Sequence, residues 1–221
     1  MTEPDPADTE PDLAAPAFYP VSLDVAGRAC LVVGGGSVAA RKARTLIECG
    51  ALVTVIAPSL GPEMEELTDR LQAVERRAYA GGDVARFRLA VTATGRPNVD
   101  GAVHDDAEAA GVWVNSADDR AHSSFILPAV YRDGPVTVAV STGGVSPAFA
   151  SWLRNRLGSE YGDYAGTLAA VIGEARERLR RAGRPSDSVD WVVLLDRHLI
   201  DLARAGKWDD VRAIVAATVD R

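Results

Sequence analysis

The sequence predicts an α/β protein with an N-terminal Rossmann-type parallel sheet, followed by a small α+β module and a C-terminal helical region. Through the first half of the chain, short apolar runs alternate with segments of helical periodicity. A glycine-rich turn joins the first apolar run to the first helical segment. This alternation stops near Asn115, after which a hairpin pattern and then only helical patterns follow. Strands that alternate with helices imply right-handed crossovers and a parallel sheet covered on both faces.

In the first half, β-branched and apolar runs predict five strands, and spacings of three and four between apolar residues predict the helices between them. Gly50 is placed to end the first helix, and Pro58 to end the second strand. The predicted strands are residues 28–33, 52–57, 74–79, 89–93 and 112–114, and the predicted helices are residues 37–49, 62–71 and 98–110.

The second half begins with an antiparallel hairpin. Residues 125–132 and 135–141 alternate between apolar and polar, and Asp133 and Gly134 between them are typical of a tight turn. Ser146 and Pro147 then predict the capped start of a helix. That helix runs to about residue 157, and further helices are predicted at residues 164–181, 189–203 and 208–219. The predicted regions are a tail over 1–17, a Rossmann domain over 18–115, a hairpin module over 116–147 and a helical domain over 148–221.

Composition narrows the class of protein. The 221 residues carry a net charge of −7, which argues against general nucleic-acid binding, because such binding depends on neutralising phosphates with Lys and Arg. No apolar run reaches the roughly 18 residues of a membrane span. Residues 1–17 are acidic and rich in proline, without the basic and apolar segments of an export signal, and they predict a disordered tail on a cytoplasmic protein.

The glycine turn is the clearest candidate for a functional site. The run VVGGGSVA fits the pattern G-x-G-x-x-G/A, with Gly34, Gly36 and Ala39 at its three positions. The first glycine allows a tight turn, the second lets the backbone approach a pyrophosphate, and the third position allows close packing of helix and strand. Because the turn lies between a predicted strand and a predicted helix, it indicates a dinucleotide site in which Gly34, Gly36, Ser37 and Val38 contact the phosphates.

Two other strand ends are expected to contact the cofactor. Pro58 and Ser59 follow the second strand, at the position where an acidic residue usually binds the ribose of NAD. Because no acidic residue stands there, this position by itself does not separate NAD from NADP. Thr92 and Thr94 stand at the end of the fourth strand, at the carboxyl edge of the sheet, where ligands bind in open α/β sheets.

Several separated segments together resemble the precorrin-2 dehydrogenase family of sirohaem synthesis, in its stand-alone form. The resemblance covers residues 18–157 in the family's order, whereas the C-terminal helices match only in being helical. The segments that carry it are Gly27-Arg28 before VVGGGSVAARKA, then GALVTVIAP, VTAT, VNSADD, SSFILPA and VAVSTGGVSPAFA.

The resemblance implies oxidation of precorrin-2 to sirohydrochlorin with NAD as the cofactor. It places the functional acid/base aspartate on Asp118, with Asp119 as the alternative. It also implies a homodimer that uses the hairpin module for dimerisation. The residues that it places beside the tetrapyrrole substrate are Asn115, Ser124, Phe125, Thr142, Gly143 and Gly144. By position, the candidates for binding the substrate's carboxylates are Arg120, Arg132, Arg154 and Arg156.

Iron insertion, which some members of that family also perform, stays open. His104, His122 and His198 lie on different elements without the spacing of metal ligands, and His122 is the one close to Asp118. Two other classes of function remain as alternatives. One is an NAD(P) oxidoreductase for another small substrate. The other is a redox-sensing regulator, although the arginines of the C-terminal helices are mixed with acidic residues.

Overall fold

The computed structural model describes residues 18–117 and 119–220. The chain divides into two compact units, and the division falls between Leu127 and Pro128. The predicted acidic tail, residues 1–17, lies outside the described residues.

The first unit is built on a parallel five-stranded sheet, as predicted. Its strands lie in the order β3-β2-β1-β4-β5, and every neighbouring pair is parallel. The order reverses between β1 and β4, which is the point where open α/β sheets bind ligands. The strands are β1 (Ala29–Val33), β2 (Leu52–Ile56), β3 (Ala73–Glu75), β4 (Leu89–Thr92) and β5 (Trp113–Ser116).

Helices cover both faces of this sheet. Ala39, Ala40 and Ala43 of one helix pack on one face, and Val103 and Ala107 of another pack on the opposite face. The central strands β1, β2 and β4 are therefore almost entirely buried, which is why they are rich in apolar residues. The helices of this unit are α1 (Ser37–Glu48), α2 (Pro62–Glu65) and α3 (Pro97–Ala110), with 3-10 turns at Thr68–Arg70 and Asp83–Arg86.

The second unit joins a two-stranded antiparallel hairpin to a set of helices. Leu168, Val171 and Leu179 form a core with Leu199 and apolar residues of the last helix. The hairpin strands are β6 (Ala129–Asp133) and β7 (Val136–Val140), and Gly134 makes the turn with a positive φ of 51°. The helices are α4 (Pro147–Tyr161), α5 (Ala165–Arg181), α6 (Trp191–Leu194), α7 (Arg197–Arg204) and α8 (Trp208–Val219).

Two predicted helices are shorter than expected. The one predicted over 189–203 is divided into α6 and α7, because Asp190 and Asp196 each act as an N-cap and start a separate helix. The Asp196 carboxylate accepts a hydrogen bond from the Leu199 N–H at 2.8 Å. The one predicted over 62–71 is only the four-residue α2 and a 3-10 turn, where the Thr68 hydroxyl bonds the Glu65 carbonyl at 2.7 Å.

The division between the units falls twelve residues after the predicted boundary at Asn115. The segment after β5 folds back onto that strand, since the Ser124 N–H donates to the Val114 carbonyl at 2.8 Å. The hairpin and α4 belong to one unit rather than two. Arg154 of α4 donates to the Val130 carbonyl at 3.1 Å.

No helix among the described residues is both long and apolar enough to cross a membrane. Cys30 and Cys49 form no disulfide. Cys30 is fully buried in β1, and burial raises the pKa of its thiol to about 11, so this thiol is unreactive at neutral pH.

Candidate dinucleotide-binding site

The turn after β1 has room for glycine alone at its first two positions. Gly34 has a φ of +129°, and a Cβ there would lie 2.4 Å from the carbonyl oxygen of Ala93. A Cβ on Gly35 would lie 2.0 Å from the carbonyl oxygen of Ser59. The backbone of neighbouring strand ends therefore presses against this turn, which fixes its path tightly.

Gly36 differs from these two glycines, because a Cβ added to it would meet nothing within 4 Å. It is exposed and forms the N-cap of α1 without a side-chain capping bond, and the first turn of α1 holds no acidic residue. The N–H groups of Ser37 and Val38 at the start of this 12-residue helix have no partner within the helix. Open space beside the backbone, next to uncapped donors at a helix N-terminus, fits a pyrophosphate group.

The loop after β2 lies directly beside the glycine turn. The Gly61 N–H donates to the Gly35 carbonyl at 2.8 Å. Pro58 and Ser59, which come shortly before Gly61 in this loop, are exposed. Both residues therefore lie in the loop beside the glycine turn, and their contact with a ribose stays a prediction. They keep their predicted place beside the turn, and neither carries the acidic group that would mark one cofactor.

The two predicted threonines at the end of β4 both bond to a carboxylate of α3. Thr92 is fully buried, and its hydroxyl is hydrogen-bonded to the Asp100 carboxylate of α3. Its side chain therefore does not face a ligand, and the prediction of a direct cofactor contact is corrected for Thr92. Thr94 is half-buried, and its hydroxyl donates to the same carboxylate at 2.8 Å. The two threonines and Asp100 thus fix the loop between β4 and α3.

Asp100 is a residue that the sequence reasoning missed. Its signal was present, because an acidic residue in the first turn of a helix that follows Thr-x-Thr is well placed to accept bonds from both hydroxyls. Asp100 is only 8% exposed, and the cost of removing its carboxylate from water is offset by these bonds from Thr92 and Thr94.

Three predicted substrate residues lie in β5 and in the segment that folds back onto it. The Asn115 side chain is buried and donates to the Phe125 carbonyl at 3.0 Å. The Ser124 hydroxyl accepts a bond from the Val114 N–H at 2.8 Å, and the Phe125 ring packs on the core beneath the sheet. The structure gives all three a part in holding this segment against β5.

The same segment carries an ion pair. The Nδ1 atom of His122 lies 2.6 Å from Oδ2 of Asp119. This bond lowers the pKa of the Asp119 carboxyl below its usual range and raises the pKa of the His122 imidazole. Asp118, the predicted acid/base residue, lies outside the described residues, although its neighbours Ala117 and Asp119 are within them.

The remaining predicted substrate residues belong to the second unit. Gly143 and Gly144 have positive φ values of 63° and 86° in the turn from β7 to α4. Thr142 accepts a bond from the Ser146 N–H at 2.9 Å through its hydroxyl, which anchors the start of that helix. The turn therefore depends on these glycines for its backbone conformation.

The four candidate arginines differ in their surroundings. Arg120 lies over the ring of Phe18, 5.4 Å from its centroid, and Arg154 is turned toward the hairpin backbone. Arg132 and Arg156 are exposed. Within residues 18–117 and 119–220, no group of three or more His, Cys, Asp and Glu side chains is arranged to hold a metal ion.

The strand order of the sheet, the glycine turn after β1 and the uncapped start of α1 are the features of a dinucleotide-binding protein of the Rossmann class. A family model described as NAD(P)-binding matches residues 21–129, and a second model, described as the central part of a sirohaem biosynthesis protein, matches residues 133–160.

Siroheme synthases from Methylococcus capsulatus and Chromobacterium violaceum are 37% and 38% identical to this chain, and both alignments cover 92% of it. The alignments cover only 44% and 45% of those proteins, so the chain spans less than half the length of these relatives. A solved structure described as "SirC, precorrin-2 dehydrogenase" superposes with a TM-score of 0.73 at 25% identity, covering 92% of this chain and 99% of that one.

The chain belongs to the sirohaem-synthesis family in which an NAD(P)-binding domain is followed by the sirohaem central domain. The predicted α/β fold and the predicted family are therefore both confirmed, and the predicted NAD cofactor is confirmed at the level of NAD(P) binding.

Proposed function

We propose that the chain is an NAD-dependent dehydrogenase that converts precorrin-2 to sirohydrochlorin. The observation that carries this proposal is the similarity to a precorrin-2 dehydrogenase over 99% of that protein's length. The longer siroheme synthases share their similarity with this chain over less than half their length, and they support the same pathway.

The residues of the first unit account for the first half of the reaction. The glycine turn and the N–H groups at the start of α1 bind the pyrophosphate, and Pro58 and Ser59 border the ribose. When bound, NAD accepts a hydride, with its two electrons, from a carbon of the macrocycle. Thr94 and Asp100 hold the backbone beside the turn in place and thereby support the site.

The residues in and after β5 account for the second half of the reaction. Hydride loss leaves a cation that must release a proton, and the carboxylate of Asp118 either accepts this proton or stabilises the cation. Asn115, Ser124 and Phe125 support the segment that contains Asp118. Thr142, Gly143 and Gly144 of the second unit stay the residues that the family resemblance places beside the substrate.

A tetrapyrrole with many carboxylates requires local cations on a protein whose net charge is −7. Arg120 and Arg156 are both exposed and are the candidates that we favour for this contact. Arg154 instead donates to the hairpin backbone, which makes it a structural residue.

The second unit supports a homodimer. Phe149 and Trp152 of α4 are 52% and 59% exposed, and their rings stack with the centroids 5.5 Å apart. Val145, just before this helix, is 72% exposed. Within the described part of the chain, β6 and β7 pair only with each other, so each has an edge that a second copy can cover. An apolar face beside open strand edges is typical of a symmetric interface.

We expect the protein to sediment as a dimer at micromolar concentration. Changing Phe149 and Trp152 together to Glu places two charges in the apolar face and should give monomers. Val192→Glu is the control, since Val192 is 82% exposed on α6, and this variant should stay dimeric. Monomeric wild-type protein, or a double variant that remains dimeric, would contradict this interface.

The test of the activity is an anaerobic assay that follows the absorption of the pigment. Mixing the protein with precorrin-2 and NAD should give the spectrum of sirohydrochlorin, and omitting the cofactor should give no change. Parallel reactions with NADP measure which dinucleotide the Ala57-Pro58-Ser59 loop accepts. No change of spectrum with either cofactor would contradict the proposed activity.

The structure offers little support for a nucleic-acid-binding regulator. The arginines of α5 are held by neighbouring groups: Arg181 donates to Glu177 at 3.0 Å, and Arg176 donates to Ser186 at 2.9 Å. Arg178 is also paired, with Asp220.

A cytoplasmic location is also part of this proposal. It agrees with Cys30 and Cys49, which form no disulfide.

A further inference from the structure

The loop from β2 to α2 carries no acidic residue where a Rossmann unit usually has one. A carboxylate at the end of the second strand normally binds the adenosine ribose. In this chain the run APS stands there instead, at residues 57–59. The loop then returns to the glycine turn, where the Gly61 N–H bonds the Gly35 carbonyl. The first acidic residue after β2 is Glu63 of α2, shortly beyond this contact.

The carboxylate of Glu63 lies close to the glycine turn. A Cβ built on Gly61 would lie 3.8 Å from Oε2 of Glu63 and 4.0 Å from the Cα of Gly36. Gly36 is the second glycine of the pattern, at which the backbone approaches a pyrophosphate. The space of one methyl group at Gly61 therefore borders both the carboxylate and the pyrophosphate site. A ribose joined to that pyrophosphate on the β2 side would lie within reach of this carboxylate.

Glu63 is exposed, and its carboxylate is available to a ligand. The ion pairs among the described residues of the first unit hold Glu65, Glu75, Asp83 and Asp119, and they do not include Glu63. An ionised carboxylate has two acceptor oxygens, which match two adjacent hydroxyl groups such as those of a ribose. Glu63 therefore has the chemistry of the ribose-binding acid that the end of β2 lacks.

Arg76 is a cation beside the same loop that a 2′-phosphate could use. It directly follows β3, whose last residue, Glu75, accepts a hydrogen bond through its carbonyl from the Ala57 N–H at 3.1 Å. Both carboxylate oxygens of Glu65 bind Nη2 of Arg76, at 2.8 and 2.9 Å. A 2′-phosphate would have to displace Glu65 from this arginine, and it would then stand beside the carboxylates of Glu63 and Glu65.

We propose that Glu63 binds the 2′- and 3′-hydroxyls of the adenosine ribose and makes the site selective for NAD over NADP. The inference rests on the proposed function, because it names the dinucleotide that the same site takes. The ribose hydroxyls of NAD donate hydrogen bonds to a carboxylate. The 2′-phosphate of NADP offers acceptor oxygens and a charge of the same sign. Glu65 adds to the selectivity by holding Arg76.

The selectivity depends on repulsion more than on the ion pair itself. Arg76 and Glu65 are 53% and 45% exposed, and an exposed ion pair is weak, so a phosphate could break it at small cost. That phosphate would carry about −1.5 to −2 charges beside two carboxylates, against the single positive charge of Arg76. We therefore expect NADP to bind more weakly than NAD, on the order of 10-fold. High salt should narrow this difference, because it screens exposed charges.

The test is calorimetric titration of the wild-type protein and its variants with NAD and with NADP, in the absence of precorrin-2. Glu63→Gln keeps the length of the side chain and removes its charge. It should weaken NAD binding on the order of 10-fold, since hydrogen bonds to a charged acceptor are the stronger ones, and bring the two affinities together. Glu65→Gln releases Arg76 and should strengthen NADP binding, while NAD binding stays near the wild-type value.

Glu66→Gln is the matched control, because Glu66 is an exposed glutamate that directly follows α2. It removes the same charge and should change neither affinity. Adding Arg76→Gln to Glu65→Gln should abolish the gain in NADP binding, which assigns that gain to the released arginine. Circular dichroism checks that each variant is folded.

A folded Glu63→Gln variant with wild-type affinity for NAD and an unchanged ratio of affinities overturns the inference. A wild-type protein that binds both dinucleotides equally also overturns it, as does a ratio that does not change with salt, and these two results need no substitution. The titrations do not depend on catalysis. Wild-type protein that binds NAD selectively but leaves precorrin-2 unchanged would therefore overturn the proposed function and retain the role of Glu63.

Discussion

Replacing Asp118 with Asn is expected to lower the turnover of precorrin-2 by on the order of 100- to 10,000-fold, the usual cost of removing a positioned acid or base. The substitution keeps the shape of the side chain and removes its charge, so the cation left by hydride loss has no anionic partner there. Folding and NAD binding should be unaffected, because the glycine turn and α1 do not involve this residue. Steady-state rates, circular dichroism and calorimetric titration with NAD measure the three properties.

Asp69→Asn is the matched control, since Asp69 is an exposed aspartate in a 3-10 turn of the same unit, and this variant should turn over normally. Asp119→Asn is a second comparison and should have a mild effect on turnover, because both carboxylate oxygens of Asp119 are already bound within its own loop. If Asp118→Asn folds, binds NAD and turns over at the wild-type rate, Asp118 is not the residue on which the reaction depends.

Replacing Gly36 with Asp is expected to weaken NAD binding on the order of 100-fold or more. The new side chain enters space in which a Cβ meets nothing within 4 Å, so the fold should be retained. Its charge would stand against the pyrophosphate at the start of α1, and two like charges about 4 Å apart near a protein surface repel by a few kcal/mol. Calorimetric titration with NAD measures the change directly.

Gly36→Asn is the matched control because it has the size of Asp without the charge. Its loss of affinity should be clearly smaller, and that of Gly36→Ala smaller still. Equal NAD affinity in wild-type and Gly36→Asp protein would show that the pyrophosphate binds elsewhere. Gly35 is unsuited to this test, since a Cβ there would collide with the Ser59 carbonyl and disturb the fold itself.

The sequence predicted the parallel sheet well because its signals are local and repeated. The central strands β1, β2 and β4 are short apolar runs bounded by glycine, proline or a helical pattern, and burial on both faces makes those runs nearly continuous. The break between α6 and α7 was missed because residues 189–203 keep a helical spacing of apolar residues throughout. Asp196 ends that continuity by capping a new helix, and a mid-pattern aspartate gives no clear sign of this choice.

The candidate site was predicted unevenly for a related reason. Gly34 and Gly36 were identified because a backbone requirement leaves a recognisable spacing in the sequence. The role of Thr92 was misjudged because it depends on a carboxylate eight residues away that the fold brings into contact. The pairing of Asp119 with His122 depends on ring orientation, which spacing in the sequence does not specify.

The most direct measurement of the central claim is the balance of products in one anaerobic reaction. Wild-type protein, precorrin-2 and NAD should yield NADH and sirohydrochlorin in equal amounts and at the same rate, because one hydride leaves each macrocycle. Gly36→Asp protein at the same NAD concentration should form both products more slowly by the same factor. Sirohydrochlorin formed without a matching amount of NADH, or neither product from wild-type protein, would contradict an NAD-dependent dehydrogenation.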